Sequence, residues 1–253
     1  MPSKAGFGST EYWNAAFQAG GEFQEPFDWL ASWQDLSDDV CRLLPSKNAR
    51  ILIPGCGNAP FQLDMYDAGY ADLVCGDNSP VLIKQMEAAS EMSGRRIRWQ
   101  LMDATNMPYE RHSFEAVLDK SLIDCLHCCE GATQALRSYL DEVFRVLVPG
   151  GVFLVVSCHS KAATRAVLRG RDWVISTIEV ATLRDSAKAS ESVVTVAVCL
   201  KGAGGDDDGH AGGGRQSAGA RRKQEKQQRR LLRASLEEAG MAPPAVDAPA
   251  VAV

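Results

Sequence analysis

Two glycines and two aspartates follow successive apolar segments and together could hold a polar ligand. Gly55 and Gly57 come directly after the apolar run 51–53, in a turn that leads to a predicted helix. Because glycine has no Cβ, it tolerates a positive φ and lets a ligand approach the bare backbone. Asp77 and Asp103 close the next two predicted strands. This spacing is typical of a nucleotide-type pocket in a parallel α/β sheet.

An adenosyl ligand explains both carboxylates. Asp77 can accept hydrogen bonds from the two ribose hydroxyls, and Asp103, one strand over, from the exocyclic amine of adenine. A plainer alternative is that both are ordinary turn residues, because Asp is favoured where loops begin. NAD is another alternative, since Asp77 lies about twenty residues after the glycines. Pro60 replaces the third glycine of that fingerprint, which disfavours NAD.

Strands and helices alternate along the middle of the chain, which predicts a doubly wound parallel sheet with right-handed crossovers. Ser79 and Pro80 predict a helix start, and the all-apolar run 152–156 predicts a strand buried on both faces. Only a polar linker separates the strand-like segments 173–182 and 192–200, so these should pair as an antiparallel hairpin. The predicted fold is therefore α/β, with a seven-stranded, mostly parallel, Rossmann-like sheet that ends in an antiparallel hairpin.

The composition changes along the chain and divides it into segments. An aromatic helix at 11–19 and a second helix, which Asp28 is expected to cap, come before the first strand. After Lys201 the chain becomes rich in glycine and aspartate, which is typical of a flexible linker. The predicted division is a helical cover of the same domain at 1–49, the main domain at 50–201, a linker at 202–219, and a basic helix with a disordered tail at 220–253.

The formal net charge of −5 hides an asymmetry, because the run 220–233 carries +6 and the rest of the chain −11. The part of the chain outside this run is therefore strongly acidic, and it suits a basic partner surface better than nucleic acid. The basic run itself is expected to be a solvated helix, a localisation signal or a partner-binding element. No apolar run approaches the roughly 18 residues of a membrane span, and residues 1–10 hold no secretory core. With scattered cysteines that suggest reduced thiols, we expect a cytoplasmic protein.

The run from Cys125 to Cys129 holds three cysteines and a histidine, which raises the possibility of a metal site. No second ligand cluster follows it in the sequence, and His159 and His210 look isolated. Apolar helix packing is therefore the favoured interpretation, and we expect no metal.

Beyond these single features, the motifs resemble the class I S-adenosylmethionine-dependent methyltransferases. The motifs that carry this resemblance are 55–58, Asp77, Asp103, 117–120, 147–151 and the final hairpin. More narrowly, residues 11–201 are similar to the branch that includes the lysine methyltransferases of eukaryotic elongation factor 1A (eEF1A). This narrower likeness rests on Tyr12-Trp13, 27–29, 55–58, 81–86, Asp119-Lys120, Leu122 and Asp124.

The resemblance implies S-adenosylmethionine as the cofactor and a set of residues that bind it. The implied set is Trp13, Phe17 and Trp29 closing over the cofactor, Gly55 with Gly57 below it, Asp77 and Asn78 at the ribose, Asp103 and Ala104 at the adenine, and Lys120 nearby. The three aromatic residues could instead be plain core, and Lys120 a surface or supporting cation.

Asp119 and Asp124 are the candidate catalytic residues. Either carboxylate could orient an acceptor amine near the methyl group, and Asp119 could help to remove its proton. The alternative is that both only make hydrogen bonds at the end of a strand. The chain departs from the family pattern at two positions: Pro54 stands where the broad superfamily usually has an acid, and Ser121 where a glycine is common after the Asp-Lys pair.

The predicted reaction is direct in-line transfer of the methyl group, in which the protein aligns the reactants and excludes water. A lysine of a protein, with eEF1A as the leading candidate, is the expected acceptor. A small-molecule acceptor is the first alternative, disfavoured because no inserted cap domain is evident. A scaffold that binds the cofactor without turnover, and docks on RNA or a partner through its basic tail, is the second.

Overall fold

A computed structural model describes residues 6–44, 46–182 and 192–202 of the 253-residue chain. The strands are β1 (Ile51–Pro54), β2 (Leu73–Asp77), β3 (Arg98–Leu101), β4 (Phe114–Lys120), β5 (Leu147–Ser157), β6 (Trp173–Thr182) and β7 (Ser192–Lys201). The helices are α1 (Thr10–Phe17), α2 (Trp33–Leu43), α3 (Phe61–Asp67), α4 (Pro80–Ser93), α5 (Leu122–His127), α6 (Ala132–Val146) and α7 (Lys161–Leu168).

All seven strands form one sheet in the order β3-β2-β1-β4-β5-β7-β6. The pairs among β1 to β5 are parallel, whereas β7 pairs antiparallel with both β5 and β6. The predicted fold class, including the antiparallel hairpin of β6 and β7, is confirmed. β7, the last strand in the sequence, lies between β5 and β6, so β6 forms the edge of the sheet.

Helices cover both faces of the sheet, because neighbouring side chains of each central strand point in opposite directions. In β1, Ile51 and Ile53 belong to the hydrophobic cluster beneath α2, α3 and α4. Leu52 between them belongs to the other cluster, beneath α5, α6 and α7. This arrangement explains why the central strands read as continuous apolar runs.

Two element ends differ from the sequence predictions, and a third agrees with them. α2 is capped by Ser32, not by Asp28, through a capping box in which Asp35 accepts from the Ser32 backbone. β3 ends at Leu101, so Asp103 lies in the loop beyond it. The predicted cap at Ser79 is confirmed, since its side chain accepts from the backbone N–H of Leu82 at 3.2 Å.

The predicted turn at 149–151 lies inside the bounds of β5. Phe114 pairs with Leu147, but Ala116 pairs with Val152, so the residues between these partners bulge out of the ladder. Gly150 has a φ of 78°, which explains the need for glycine there.

Most of the predicted linker at 202–219, and all of the predicted basic tail at 220–253, lie outside the described residues. In the part of the chain that is described, no helix combines the length and the apolar character that crossing a membrane requires.

Candidate active site

A cleft opens at the carboxyl edge of the sheet, where β1, β2 and β4 end side by side. It encloses about 1000 Å³ of empty space, its open mouth included. All ten residues predicted to bind a cofactor line this one cleft: Trp13, Phe17, Trp29, Gly55, Gly57, Asp77, Asn78, Asp103, Ala104 and Lys120. Parallel strands explain why the residues at and after the strand ends converge, because the carboxyl ends of such strands meet at one edge of the sheet.

The glycine turn after β1 forms one wall of the cleft. Gly55 and Gly57 have φ values of 60° and 55°, in the left-handed region that other residues rarely adopt. A Cβ on Gly55 would approach the Leu122 side chain to 2.8 Å, whereas one on Gly57 would meet nothing within 4 Å. The backbone at Gly57 therefore faces open space that a ligand can fill.

Asp77, the last residue of β2, is 8% exposed and joins the turn to the next helix. Its Oδ2 accepts the backbone N–H of Gly57 at 3.2 Å, and its Oδ1 accepts that of Ser79 at 3.0 Å. Burial raises the pKa of this carboxyl to about 6, while the backbone donors, including that of Asn78, lower it. Each oxygen keeps a second lone pair, so Asp77 can accept further hydrogen bonds from a ligand.

Asp103 occupies a different environment, exposed in the loop after β3. Its Oδ1 accepts both the backbone N–H and the hydroxyl of Thr105, each at 2.8 Å. This turn orders the loop and leaves Ala104 and Thr105 lining the cleft. Asp77 and Asp103 thus line the same cleft, and their roles at the ribose and the adenine stay predictions.

An aromatic cluster from the N-terminal segment covers the cleft. Trp13 lies at its centre, 5.6 Å from the ring of Phe17 and 6.4 Å from that of Trp29. The indole N–H of Trp13 donates to the backbone oxygen of Phe7 at 2.8 Å. Phe17 is buried, whereas Trp13 and Trp29 are half-buried. These residues therefore pack against one another and line the cleft at the same time.

Lys120, at the end of β4, ties the N-terminal segment to the sheet. Its Nζ lies 2.9 Å from Asp28 Oδ1 and donates to the backbone oxygen of Trp29 at 3.0 Å. The side chains of Lys120 and Asp28 are 7% and 18% exposed, and burial lowers the pKa of the lysine while Asp28 opposes that shift. Lys120 thus lines the cleft but is committed to an ion pair.

Neither Asp119 nor Asp124 lines the cleft, so the structure lends no support to their predicted contact with an acceptor amine. Asp119 is fully buried, and its oxygens accept the backbone N–H of Leu122 and the hydroxyl of Tyr139, both at 2.8 Å. Burial raises the pKa of Asp119 to about 7. Asp119 caps the start of α5, and that capping is the alternative that the sequence left open.

Asp124 lies within α5, one turn further along, and points to the loop after β5. It accepts the hydroxyl of Ser157 at 2.5 Å and the backbone N–H of Cys158 at 3.0 Å. Ser121, at φ 75°, occupies the left-handed conformation for which glycine is favoured, and its hydroxyl donates to Asp124 at 3.3 Å. These contacts hold α5 in place.

Sequence reasoning missed several cleft residues. Phe7 and Gly8 precede α1 and carry no periodic signal, while Cys125 and Leu126 lie on α5. A side chain on Gly8 would collide with Cys129, which shows how closely the N-terminal segment approaches the turn after α5. The small residue at position 8 is the sequence signal of that closeness.

The interpretation of His159 as isolated is wrong. Its Nδ1 lies 3.6 Å from the Cys158 sulfur and 3.9 Å from Asp124 Oδ1, and its ring contacts that of His127. The loop after β5 thus supplies the second group of potential ligands that the sequence around α5 seemed to lack. The other prediction for this region, that 125–129 packs as a helix, is confirmed for Cys125 to His127.

The donor set of the cleft fits an adenosyl ligand. A buried carboxylate with free lone pairs can accept ribose hydroxyls, and an open glycine backbone admits the neighbouring part of the ligand. An aromatic cover can exclude water from the reacting centre.

Comparison with known proteins agrees with this geometry. Residues 52–155 match the family described as the methyltransferase domain. The eEF1A lysine and N-terminal methyltransferase homolog of Drosophila melanogaster is 34% identical over 153 residues, which cover 60% of this chain and 22% of that protein. EEF1A lysine methyltransferase 4 of Bos taurus is 30% identical over 166 residues, which cover 61% of this chain and 63% of that protein.

This chain spans only part of such relatives: 22% of the length of the fly protein and 28% of the length of the human eEF1A lysine and N-terminal methyltransferase. Among solved structures, a SAM-dependent methyltransferase from Methanosarcina mazei has a TM-score of 0.51 at 14% identity, covering 64% of this chain and 97% of that one. That likeness concerns the fold alone. Together, the domain match over residues 52–155, the fold and the cleft identify an S-adenosylmethionine-dependent methyltransferase domain in this chain.

Proposed function

We propose that this protein transfers the methyl group of S-adenosylmethionine to a lysine side chain of another protein, and that eEF1A is the candidate acceptor. The observation that carries the proposal is the convergence of the glycine turn, Asp77 and the aromatic cluster on one cleft. The names of the relatives, which describe eEF1A lysine methyltransferases, support the choice of acceptor. The acidic body of the chain suits a basic protein surface.

Each part of the cleft has a separate task in this proposal. The bound cofactor supplies a methyl group that its sulfonium charge already activates. Asp77 accepts the ribose hydroxyls, the backbone at Gly57 lies against the ligand, and Asp103 with Ala104 borders the adenine. Trp13 and the rings around it exclude water, so that the protein contributes mainly orientation and desolvation.

A lysine acceptor must lose a proton before it can attack, because its usual pKa is about 10.4. Neither Asp119 nor Asp124 lines the cleft, so these carboxylates are not the proton acceptor in this proposal. Moving the amine from water into an apolar cleft favours its neutral form. We therefore propose that the acceptor lysine loses its proton to solvent as its side chain enters the cleft.

Transfer of a radiolabelled methyl group from S-adenosylmethionine to purified eEF1A, and to the proteins of a cell extract, tests the proposal. We expect one labelled protein, with label on lysine, and loss of that label in the D77A variant. D67A is the matched control, because Asp67 is a half-exposed carboxylate on α3 and should leave transfer intact.

Two results would contradict the proposal in different ways. Label in small molecules but in no protein would point to a small-molecule acceptor. Cofactor binding measured by calorimetry, without transfer to any acceptor, would favour a scaffold that binds but does not turn over.

A further inference from the structure

We propose that Asp124, Cys158 and His159 form a binding site for a zinc ion, outside the cofactor cleft. One donor atom from each of these side chains lies within 4.8 Å of the other two. Asp124 comes from α5, and the other two come from the loop between β5 and α7. The site therefore joins two segments that are more than thirty residues apart in the sequence.

The distances suit the coordination that zinc prefers. With Zn–S of about 2.3 Å and Zn–N of about 2.0 Å, tetrahedral geometry separates the sulfur and nitrogen ligands by about 3.5 Å. The observed separation of Cys158 Sγ from His159 Nδ1 is 3.6 Å. His159 Nδ1 and Asp124 Oδ1 are 3.9 Å apart, where the same geometry gives about 3.3 Å, so a bound ion would draw these two side chains closer together.

Hydrogen bonds around the ligands already hold them in place. Asp124 accepts the Ser157 hydroxyl at 2.5 Å and the backbone N–H of Cys158 at 3.0 Å, which orients its carboxylate. The Ser157 oxygen also accepts the backbone N–H of His159 at 3.1 Å, and the His159 carbonyl accepts the hydroxyl of Thr195 at 2.7 Å. Supporting contacts of this kind are typical of metal sites.

Access and chemistry also favour the ion. Cys158 is exposed and the His159 side chain is 31% exposed, so a hydrated ion can reach the site from solvent. A set of one sulfur, one nitrogen and one oxygen ligand suits Zn²⁺ better than Mg²⁺ or Ca²⁺, which prefer oxygen. On binding, the Cys158 thiol releases its proton to solvent and its sulfur displaces water from the ion. Water or the neighbouring His127 ring completes the fourth position.

The site would brace one wall of the cleft. Cys125 and Leu126, directly after Asp124 in α5, line the cleft. A zinc ion that connects α5 to the loop after β5 would hold that wall against the sheet. The ion has no part in the transfer itself, so the inference stands whether or not the proposed acceptor is correct.

Titration of the full-length, metal-free, reduced protein with Co²⁺ tests the site, because cobalt replaces zinc and reports its ligands by absorption. We expect one equivalent to bind with a thiolate-to-cobalt charge-transfer band and tetrahedral d–d bands, and zinc to abolish both. C158S should remove the charge-transfer band. H159A and D124N should weaken binding by about 100-fold or more, since even supporting residues change metal affinity by about 10- to 100-fold.

The matched control is C41S, which removes an exposed cysteine on α2 and should leave the cobalt spectrum unchanged. Zinc should also raise the melting temperature of the wild type and of C41S, but not that of C158S. Circular dichroism of each variant confirms that it is folded. Absence of a cobalt band in the wild type would overturn the proposal. So would a band that persists in C158S, or an affinity unchanged in H159A.

Discussion

At the scale of single residues, the Asp77 carboxylate should make cofactor binding depend on pH. Burial raises its pKa to about 6, and only the charged form accepts hydrogen bonds with both oxygens. Lowering the pH through this value therefore removes the form that binds ribose hydroxyls. We expect the Kd for S-adenosylmethionine to rise about tenfold between about pH 7.5 and about pH 5, as calorimetry can measure.

D77N is the matched variant for this prediction. It should bind the cofactor more weakly at neutral pH and lose most of the pH dependence, because the amide does not titrate. If D77N kept the full pH dependence, another group such as Asp119 would be responsible.

Asp119 should affect the stability of the fold and not the rate of methyl transfer. Burial raises its folded-state pKa to about 7, above the usual value of about 3.9, so folding disfavours the charged carboxylate. The stability of the wild type relative to D119N should then be greatest near pH 4 and fall as the pH rises towards 7. The slope should be at most about 1.4 kcal/mol per pH unit.

Urea unfolding of both proteins across this pH range measures the difference. Asparagine keeps the size of the side chain and an oxygen that can accept from Leu122. A difference that does not change with pH would show that folding does not raise the pKa of Asp119.

At the scale of elements, the ion pair of Lys120 with Asp28 should hold the N-terminal segment over the cleft. K120M removes one partner and leaves the mostly buried Asp28 carboxylate without its cation. We expect K120M to lower the free energy of unfolding by about 2 kcal/mol and to weaken cofactor binding, since this segment supplies Trp13 and Trp29 to the cleft.

The double variant D28N/K120M should recover part of the lost stability, because it no longer leaves an unpaired charge. D67N is the control, since it breaks the more exposed pair of Asp67 with Arg95 and should cost less than about 1 kcal/mol. Equal effects of K120M and D67N on stability and on cofactor affinity would contradict the role given to Lys120.

At the scale of the whole molecule, the sheet order predicts where native-state hydrogen exchange is slowest. β4 lies in the interior of the sheet with most of its residues buried, whereas β3 is an edge strand with three of its four residues exposed. Amides of β4 should exchange only through global unfolding, and those of β3 through smaller, more frequent openings. Mass spectrometry of exchanged peptides can compare the two strands.

Adding S-adenosylmethionine should extend protection to the ends of β1 and β2 and to the N-terminal segment, where the cleft residues lie. Exchange of β4 as fast as that of β3 would contradict the predicted ranking. Cofactor-induced protection confined to the β6–β7 hairpin would argue against the assigned cleft.

The fold and the cofactor cleft followed largely from local signals in the sequence. The apolar runs, the cap at Ser79, the glycines at 55 and 57, and the acids after the second and third strands are all short-range features. Parallel strands align their carboxyl ends, so the positions of these features along the chain were enough to predict that they meet. The aromatic residues of the N-terminal segment were placed there by family resemblance alone.

Only the tertiary structure decided which charged groups face the cleft and which pair elsewhere. Asp28 looked like a helix cap and proved to be the partner of Lys120, 92 residues away. Asp119 and Asp124 looked catalytic and proved to hold α5, because the direction of a side chain at a strand end depends on the turn that follows. His159 looked isolated and lies beside Asp124. Such pairings join distant segments, and neither periodicity nor spacing encodes them, so sequence patterns alone could not reveal them.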